Sequence, residues 1–130
     1  MLIRYPFFAL LMLSATALQA DAMEDAAGVY SEGNYAKAYP MLHTLAKKGQ
    51  DEAQFYIGAM LVDGLGVDAD SNKGVYWLNQ AVNQEHAEAA IMLSKMYLSG
   101  RGVAMNVDKG IHYMELGESF KSEDEKEDCE

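Results

Sequence analysis

The residues with the strongest metal-ligand character lie between two apolar segments, at Asp68, Asp70 and Asn72. Their alternate spacing is that of a calcium-binding loop, where oxygen ligands occupy every second position. Such a loop needs glycine at its sixth position and glutamate at its twelfth, where this chain has Lys73 and Asn79. The pattern therefore favours helix capping over cation binding.

Histidines, methionines and serines are the other residues that could do chemistry. His43, His86 and His112 lack the short spacing that places two imidazoles on one helical face. The thioethers that could ligate Cu(I) are those of Met60, Met92, Met96, Met105 and Met114, but Met60 and Met96 recur at equivalent positions, as residues that fill a core do. No serine lies in a Gly-x-Ser-x-Gly motif, and no acid pair has a recognised catalytic context. The sequence predicts no catalytic residue, no metal site and no cofactor.

The charge balance is strongly acidic. The chain has 130 residues, with 20 Asp or Glu and 10 Lys or Arg, and a formal net charge of −10. This length corresponds to one domain, and a hydrophobic fraction of 50% argues against disorder over most of the chain. Because phosphate recognition needs a basic footprint, nucleic acid is not expected as a partner. An acidic surface would instead steer a basic protein partner.

Residues 1–20 have the layout of a secretory signal peptide: a short positive start, the apolar run FFALLML and a small-residue segment. We predict cleavage after Ala20, with Ala17 and Ala22 as alternative sites. An uncleaved anchor is disfavoured because a membrane span needs about 20 apolar residues. The only cysteine, Cys129, is not placed for lipid attachment. We therefore expect a periplasmic or secreted protein without stable membrane insertion after cleavage.

A repeat with a period of 36 residues organises the rest of the chain, in copies at 51–86 and 87–122. The recurring pairs are Glu52/Glu88, Ala53/Ala89, Met60/Met96, Gly64/Gly100, Gly66/Gly102, Val67/Val103, Lys73/Lys109 and Gly74/Gly110. Each copy has apolar residues at helical spacing on both sides of a Gly-x-Gly turn, which predicts two helices per copy. The close helix contact that glycine permits is the expected use of Gly74 and Gly110.

The helix starts and the flanking segments complete the predicted architecture. The second helix has Asp70 or Ser71 as its N-cap in the first copy, and Asn106 or Asp108 in the second. Residues 21–50 follow the same pattern and predict an N-terminal capping helix pair. The sequence thus predicts an all-α, short right-handed α-solenoid of about three antiparallel helix pairs. The last eight residues, 123–130, hold six acids and are predicted to form a disordered tail.

The two copies resemble Sel-1-like repeats, a branch of the tetratricopeptide superfamily. The segments that carry the resemblance are AQFYIGAMLVDGLGVDADSNKGVYWLNQA and AAIMLSKMYLSGRGVAMNVDKGIHYMELG. They share the alanine opening, the Gly-x-Gly-Val turn, an Asp or Asn near the next cap, and an aromatic such as Trp77. Departures from the pattern are Leu61, Glu85, and the glycines Gly74 and Gly110. The resemblance implies a superhelix whose concave surface binds proteins or peptides, with repeats that are generally not catalytic.

The concave face is predicted from helical geometry, because side chains not needed for the core of a helix pair form a stripe on its first helix. The predicted partner-binding residues are Tyr56, Met60 and Asp63 in the first copy and Met92, Lys95 and Ser99 in the second. A second candidate surface is the C-terminal end, where Leu116 and Phe120 have no following helix to cover them. These two residues either fold under the tail or form an open docking edge.

Three functions follow as hypotheses from these features. The first is a small exported bacterial member of the family that acts as a non-enzymatic periplasmic adaptor or scaffold. The second is an immunity protein that neutralises a toxin or effector in the periplasm, which small size, export and acidity favour. The third, an enzyme that binds or hydrolyses peptidoglycan or β-lactams, is disfavoured because the related cysteine-rich branch depends on disulfides that one cysteine cannot form.

Overall fold

Helices are the only regular secondary structure in the part of the chain that the structure describes. The computed structural model describes the backbone of residues 6–127 and the side chains of residues 17–123. The helices are α1 (Pro6–Ser31), α2 (Tyr35–Lys47), α3 (Asp51–Asp63), α4 (Ser71–Val82), α5 (Ala87–Ser99) and α6 (Val107–Glu127). Each helix packs against the next one along the chain, and α3/α4 and α5/α6 form the most extensive pairs. The all-α prediction is confirmed.

The first helix of each repeat ends at a glycine, as the sequence predicts. Gly64 and Gly100 both adopt the left-handed conformation, with φ of 69°. Their backbone N–H groups donate to the carbonyls of Met60 and Met96, which closes the last turn of each helix. Glycine holds this conformation without the steric cost that a Cβ adds.

The second helices begin at one of the two predicted caps in each repeat. The Asp70 side chain accepts a hydrogen bond from the Lys73 backbone N–H at 3.1 Å. One repeat later, the Asn106 side chain accepts from the Lys109 N–H at 3.0 Å. Both contacts satisfy a backbone donor that the helix itself leaves unpaired.

Glycines within the second helices allow α3 to approach α4 and α5 to approach α6. A Cβ added to Gly74 would lie 2.6 Å from the Val62 Cγ2 atom, and one added to Gly110 would lie 2.5 Å from the Leu98 side chain. The larger residues Val62 and Leu98 therefore occupy space that an alanine on the facing helix would need. These contacts agree with the predicted role of the two glycines.

The buried side chains form two clusters along the array. The first joins α1, α2 and α3 and includes Met23, Leu42 and Ile57, while the second joins α4, α5 and α6 and includes Leu78 and Leu93. Packing therefore continues from one helix pair to the next.

The acidic C-terminal segment differs from the prediction, because α6 continues as helix to Glu127. Glutamate and lysine are good helix formers, and the packed Phe120 precedes the segment in the same helix. Residues 128–130, with Cys129, lie outside the described residues. At the other end, Ala17, Ala20 and Ala22 all lie within α1. In the described part of the chain, no helix has the length and apolar character needed to cross a membrane.

Candidate functional site

Three predicted partner-binding residues on α5 lie together beside a groove. Met92, Lys95 and Ser99 are three or four residues apart, so they share one face of the helix. The groove has a volume of about 410 Å³ and is also lined by Met96, Leu98 and Arg101. We call these six residues the cationic groove.

The chemistry of the cationic groove is apolar with two cations. Three of the six lining side chains are apolar, and the Lys95 and Arg101 side chains are exposed at its margin. The Ser99 hydroxyl donates to the Lys95 backbone carbonyl at 2.7 Å, which leaves the hydroxyl oxygen free to accept. The groove can therefore hold an apolar side chain and attract an anionic group next to it.

Arg101 is a groove residue that the sequence did not reveal. Its guanidinium forms an ion pair with the Asp63 carboxylate at the end of α3. Asp63 thus lies next to the groove, where it orients Arg101 across the boundary between the two repeats. The Arg101 side chain keeps 64% of its surface exposed, so it can still bind a second anion.

The structure contradicts the prediction that the Met60 side chain reaches a partner. Met60 is fully buried, within the core cluster of α1, α2 and α3. Its equivalent Met96 is 2% exposed, yet it lies at the base of the cationic groove. Met60 faces inward because its position on α3 points toward the preceding helix pair rather than along the solvent-facing stripe.

Tyr56 lies in a different cleft from the α5 residues. This acid–aromatic cleft has a volume of about 420 Å³ and is lined by Asp51, Glu52, Phe55, Tyr56, His86 and Glu88. Its carboxylates come from the first turns of α3 and α5, where the helix dipole favours negative charge. The predicted stripe is therefore divided into an acidic part near the helix starts and a cationic part near the end of α5.

His86 is part of the wall of the acid–aromatic cleft. Its ring stacks on Phe55 with centroids 5.0 Å apart, and its Nδ1 atom accepts from the Ala89 backbone N–H at 3.3 Å. The Glu88 carboxylate lies 3.6 Å from the same Nδ1 atom. Because that nitrogen already accepts a hydrogen bond, it has no proton to give Glu88, and we assign His86 to helix capping rather than to an ion pair.

An aromatic cluster connects α1 to the acid–aromatic cleft. The Tyr30 and Tyr56 ring centroids lie 4.8 Å apart, and Tyr35 packs on the other side of Tyr30 at 5.1 Å. Burial raises the pKa of the Tyr30 phenol, and the neighbouring Tyr35, Tyr56 and Asp63 raise it further. Tyr30 therefore remains a neutral hydrogen-bond donor at physiological pH.

The C-terminal end also differs from the predicted docking edge. Leu116 and Phe120 are half-buried and pack against the second core cluster. The exposed apolar residues of α6 are instead Val107, Ile111 and Met114. Leu116 and Phe120 are thus covered within the α5/α6 pair. The exposed face of α6 is the one with Val107, Ile111 and Met114.

The segment with the spacing of a calcium-binding loop, at Asp68, Asp70 and Asn72, has a structural role. The Asp70 carboxylate caps α4 and lies 3.8 Å from the Lys73 ammonium group. Among the residues whose positions are described, no group of three or more His, Cys, Asp or Glu could hold a metal ion.

Helix pairs stacked in register, with a groove along their first helices, define an α-solenoid repeat protein. The model of the Sel1 repeat matches residues 51–86 and 87–117, just over half of the chain. The protein therefore belongs to the Sel1 repeat family.

Two solved structures have similar folds. A Sel1 repeat protein from Oxalobacter formigenes is 27% identical, with a TM-score of 0.63 over 66% of this chain and 25% of that chain. A protective antigen of uropathogenic Escherichia coli strains, which displays an SLR fold, is 26% identical, with a TM-score of 0.66 over 88% of this chain and 28% of that chain. The chain spans about a quarter of the length of these solved chains. No curated protein is significantly similar to it.

Proposed function

We propose that the protein is an exported, non-enzymatic interaction module that holds a segment of a partner protein along the first helices of its repeats. The observation that carries the proposal is the cationic groove, where Met92, Lys95 and Ser99 form one solvent-facing stripe beside apolar side chains. These side chains are not fully buried in the core, and family members generally mediate protein–protein interaction.

The charges along this surface favour a partner segment with two kinds of side chain. The acid–aromatic cleft suits a lysine or arginine, because carboxylates and aromatic faces both attract cations. The cationic groove suits an apolar residue next to a carboxylate. A net charge of −10 would steer a partner that is basic overall toward this protein.

Site-specific photo-crosslinking tests the proposed surface. A photoreactive amino acid at Ser99, on the cationic groove, is expected to capture one partner in cells that make both proteins. The same amino acid at Tyr76, which is 58% exposed on α4, is the matched control. Equal capture from both positions, or capture from Tyr76 alone, would refute binding through the groove.

Reversal of the charge at Lys95 is expected to weaken partner binding about tenfold while helicity stays unchanged. Lys95 is exposed, so the Lys95→Glu substitution does not disturb the core, but it places a carboxylate where the groove would attract one. Titration calorimetry with the captured partner measures the effect. Lys37→Glu on α2, another exposed lysine, is the control and should leave affinity unchanged. Unaltered affinity in the Lys95 variant would contradict the groove placement.

Export is expected to remove the first 20 residues. Mass spectrometry of the protein recovered from a bacterial periplasm should show an N-terminus at Asp21. The Leu10→Arg substitution interrupts the apolar run of the predicted signal and should leave unprocessed protein in the cytoplasm. A periplasmic protein that still begins at Met1 would contradict the prediction.

A further inference from the structure

Three cavities join into one continuous groove along one side of α5. The acid–aromatic cleft shares Phe55 and Glu88 with a middle cavity of about 300 Å³. The middle cavity in turn shares Met92 and Lys95 with the cationic groove, and Ile91 completes its lining. A segment that occupies one of the three cavities therefore continues into the next, from the first turn of α5 toward its last.

The two ends of this continuous groove have opposite charges that are available to a ligand. Among the described side chains, the Lys95 ammonium group and the carboxylates of Asp51 and Glu52 form no ion pair. Glu88 and Lys95 are seven residues apart on α5, which separates them by about 10.5 Å along the helix axis. Charges three or four residues apart would be close enough to pair with each other, and this spacing keeps them apart.

The packing of the repeats does not explain the cations. The equivalent of Lys95 in the first copy is Ala59, which is buried, and the equivalent of Arg101 is Leu65. The acid at the start of each first helix does recur, and it stabilises the helix start. The separation of charge along the groove is therefore a property of the second copy and not of the fold that both copies share.

We infer that the occupant is one extended segment of a partner protein in which a basic, an apolar and an acidic residue stand at alternate positions. The basic side chain lies in the acid–aromatic cleft, the apolar one in the middle cavity against Phe55 and Met92, and the carboxylate beside Lys95. The inference rests on the proposed function and adds the order and the spacing of the three side chains.

The dimensions of an extended chain fit this groove. Its alternate side chains lie about 6.6 Å apart on one face, so the outer two of the three are about 13 Å apart. Measured from Glu88 along α5, Lys95 lies at about 10.5 Å and Ser99 at about 16.5 Å. The carboxylate of the segment therefore lies between these two residues, where it can pair with the Lys95 ammonium group and the exposed Arg101 guanidinium.

Selection from a peptide library tests the order and the spacing. Random peptides of about eight residues, displayed on phage between fixed glycine–serine flanks, are selected on the protein purified from the periplasm. A basic and an acidic residue four positions apart, with an apolar residue midway, should become at least about tenfold more frequent than in the unselected library. The order in which the two charges occur gives the direction of the segment along α5. Selected peptides without this spacing, or no selected peptides, would overturn the inference.

Double-mutant cycles between the protein and a selected peptide test which charges meet. The Lys95→Gln substitution and replacement of the peptide's acid by alanine should each weaken binding about fivefold. Their combined effect should be clearly smaller than the product of the two, because both changes remove the same contact. The Glu52→Gln and Glu88→Gln substitutions, made together, should couple in the same way to the peptide's basic residue.

The crossed pair is the control for these cycles. The effects of Lys95→Gln and of replacing the peptide's basic residue should multiply, since those two charges lie at opposite ends of the groove. Lys37→Gln, at an exposed lysine on α2, should leave the affinity unchanged. Fluorescence anisotropy of the labelled peptide measures each affinity, and circular dichroism should show that every variant stays folded. Independent effects of Lys95 and the peptide's acid, or coupling in the crossed pair, would refute the assigned order.

The photo-crosslink at Ser99 separates this inference from the proposed function. Digestion and mass spectrometry of the captured partner identify the crosslinked segment, which should contain the three residues at the same spacing. A captured segment that lacks them would overturn this inference and leave the proposed function standing. Equal capture from the Tyr76 control would instead refute the proposed function, and this inference with it.

Discussion

Replacing Gly66 by alanine is expected to lower the free energy of unfolding by about 3 kcal/mol. Gly66 has a φ of 69°, in the left-handed region where a Cβ is disfavoured. The added Cβ would also lie 2.4 Å from the Tyr35 carbonyl carbon and oxygen, and 2.7 Å from the Ala36 nitrogen. These backbone atoms belong to the first turn of α2, so relief requires the helix itself to shift.

The expected loss of stability has two causes, the backbone conformation and the packing clash. The neighbouring Gly64 allows the two to be measured separately. Gly64 has the same φ of 69°, but a Cβ added there would meet only Ala69, whose nearest atom is its Cβ at 3.3 Å. The Gly64→Ala substitution should therefore cost about 1 kcal/mol, mainly for the backbone conformation. Urea denaturation of both variants measures the difference, with unchanged m-values showing that the unfolding transition is still comparable. Similar losses in the two variants would contradict a packing role for Gly66 between helix pairs.

The same contact recurs one repeat later and explains the second glycine of the turn. A Cβ added to Gly102 would lie 2.3 Å from the Ser71 Oγ atom, at the start of α4. Ser71 is the equivalent of Tyr35, so the second glycine of each turn packs on the second helix of the preceding pair. The first glycine ends a helix, and the second allows the pairs to stack. One short motif therefore specifies both local and long-range structure.

Features set by neighbouring residues were the ones that the sequence predicted well. The helix stops at Gly64 and Gly100 and the caps at Asp70 and Asn106 depend on contacts within a few residues. The sequence repeat also predicted how the helix pairs pack, because equivalent residues in adjacent repeats make equivalent contacts. The helical segment 123–127 was missed because composition favoured a solvated tail, whereas helix propensity and the preceding packed turn continue α6.

Features set by the ends of the array could not be read from the period. Repetition predicts the same environment for Leu78 and Met114, yet within the described residues a following helix pair buries Leu78 and not Met114. The same limitation affected Leu116 and Phe120, for which the sequence predicted either cover by the tail or an open edge, whereas they pack within their own helix pair. A sequence repeat specifies which surfaces match, and the number of copies determines which of them remain open.

The candidate site shows why contacts between repeats are hard to predict. Asp63 and Arg101 form an ion pair across the repeat boundary, but their equivalents are Ser99 and Leu65. The pair therefore has no counterpart elsewhere in the sequence that could have indicated it. Lys95 was found because helical spacing alone places it beside Met92 on the solvent-facing side of α5. The groove thus combines a predictable helix face with an unpredictable contact at its margin.

Truncation of Leu78 to alanine is expected to cost about 3 kcal/mol, since a fully buried leucine leaves a cavity that the surrounding helices cannot close. Leu78 lies in the cluster that joins α4 to α5 and α6, so its loss weakens the connection between the two repeats. Urea denaturation followed by the fluorescence of Trp77, the single tryptophan, measures the change next to the substituted residue.

Met114→Ala is the matched control, because Met114 occupies the same repeat position with 40% of its surface exposed. Its loss should be below about 1 kcal/mol. Equal losses in the two variants would contradict the view that a following helix pair is what buries this position.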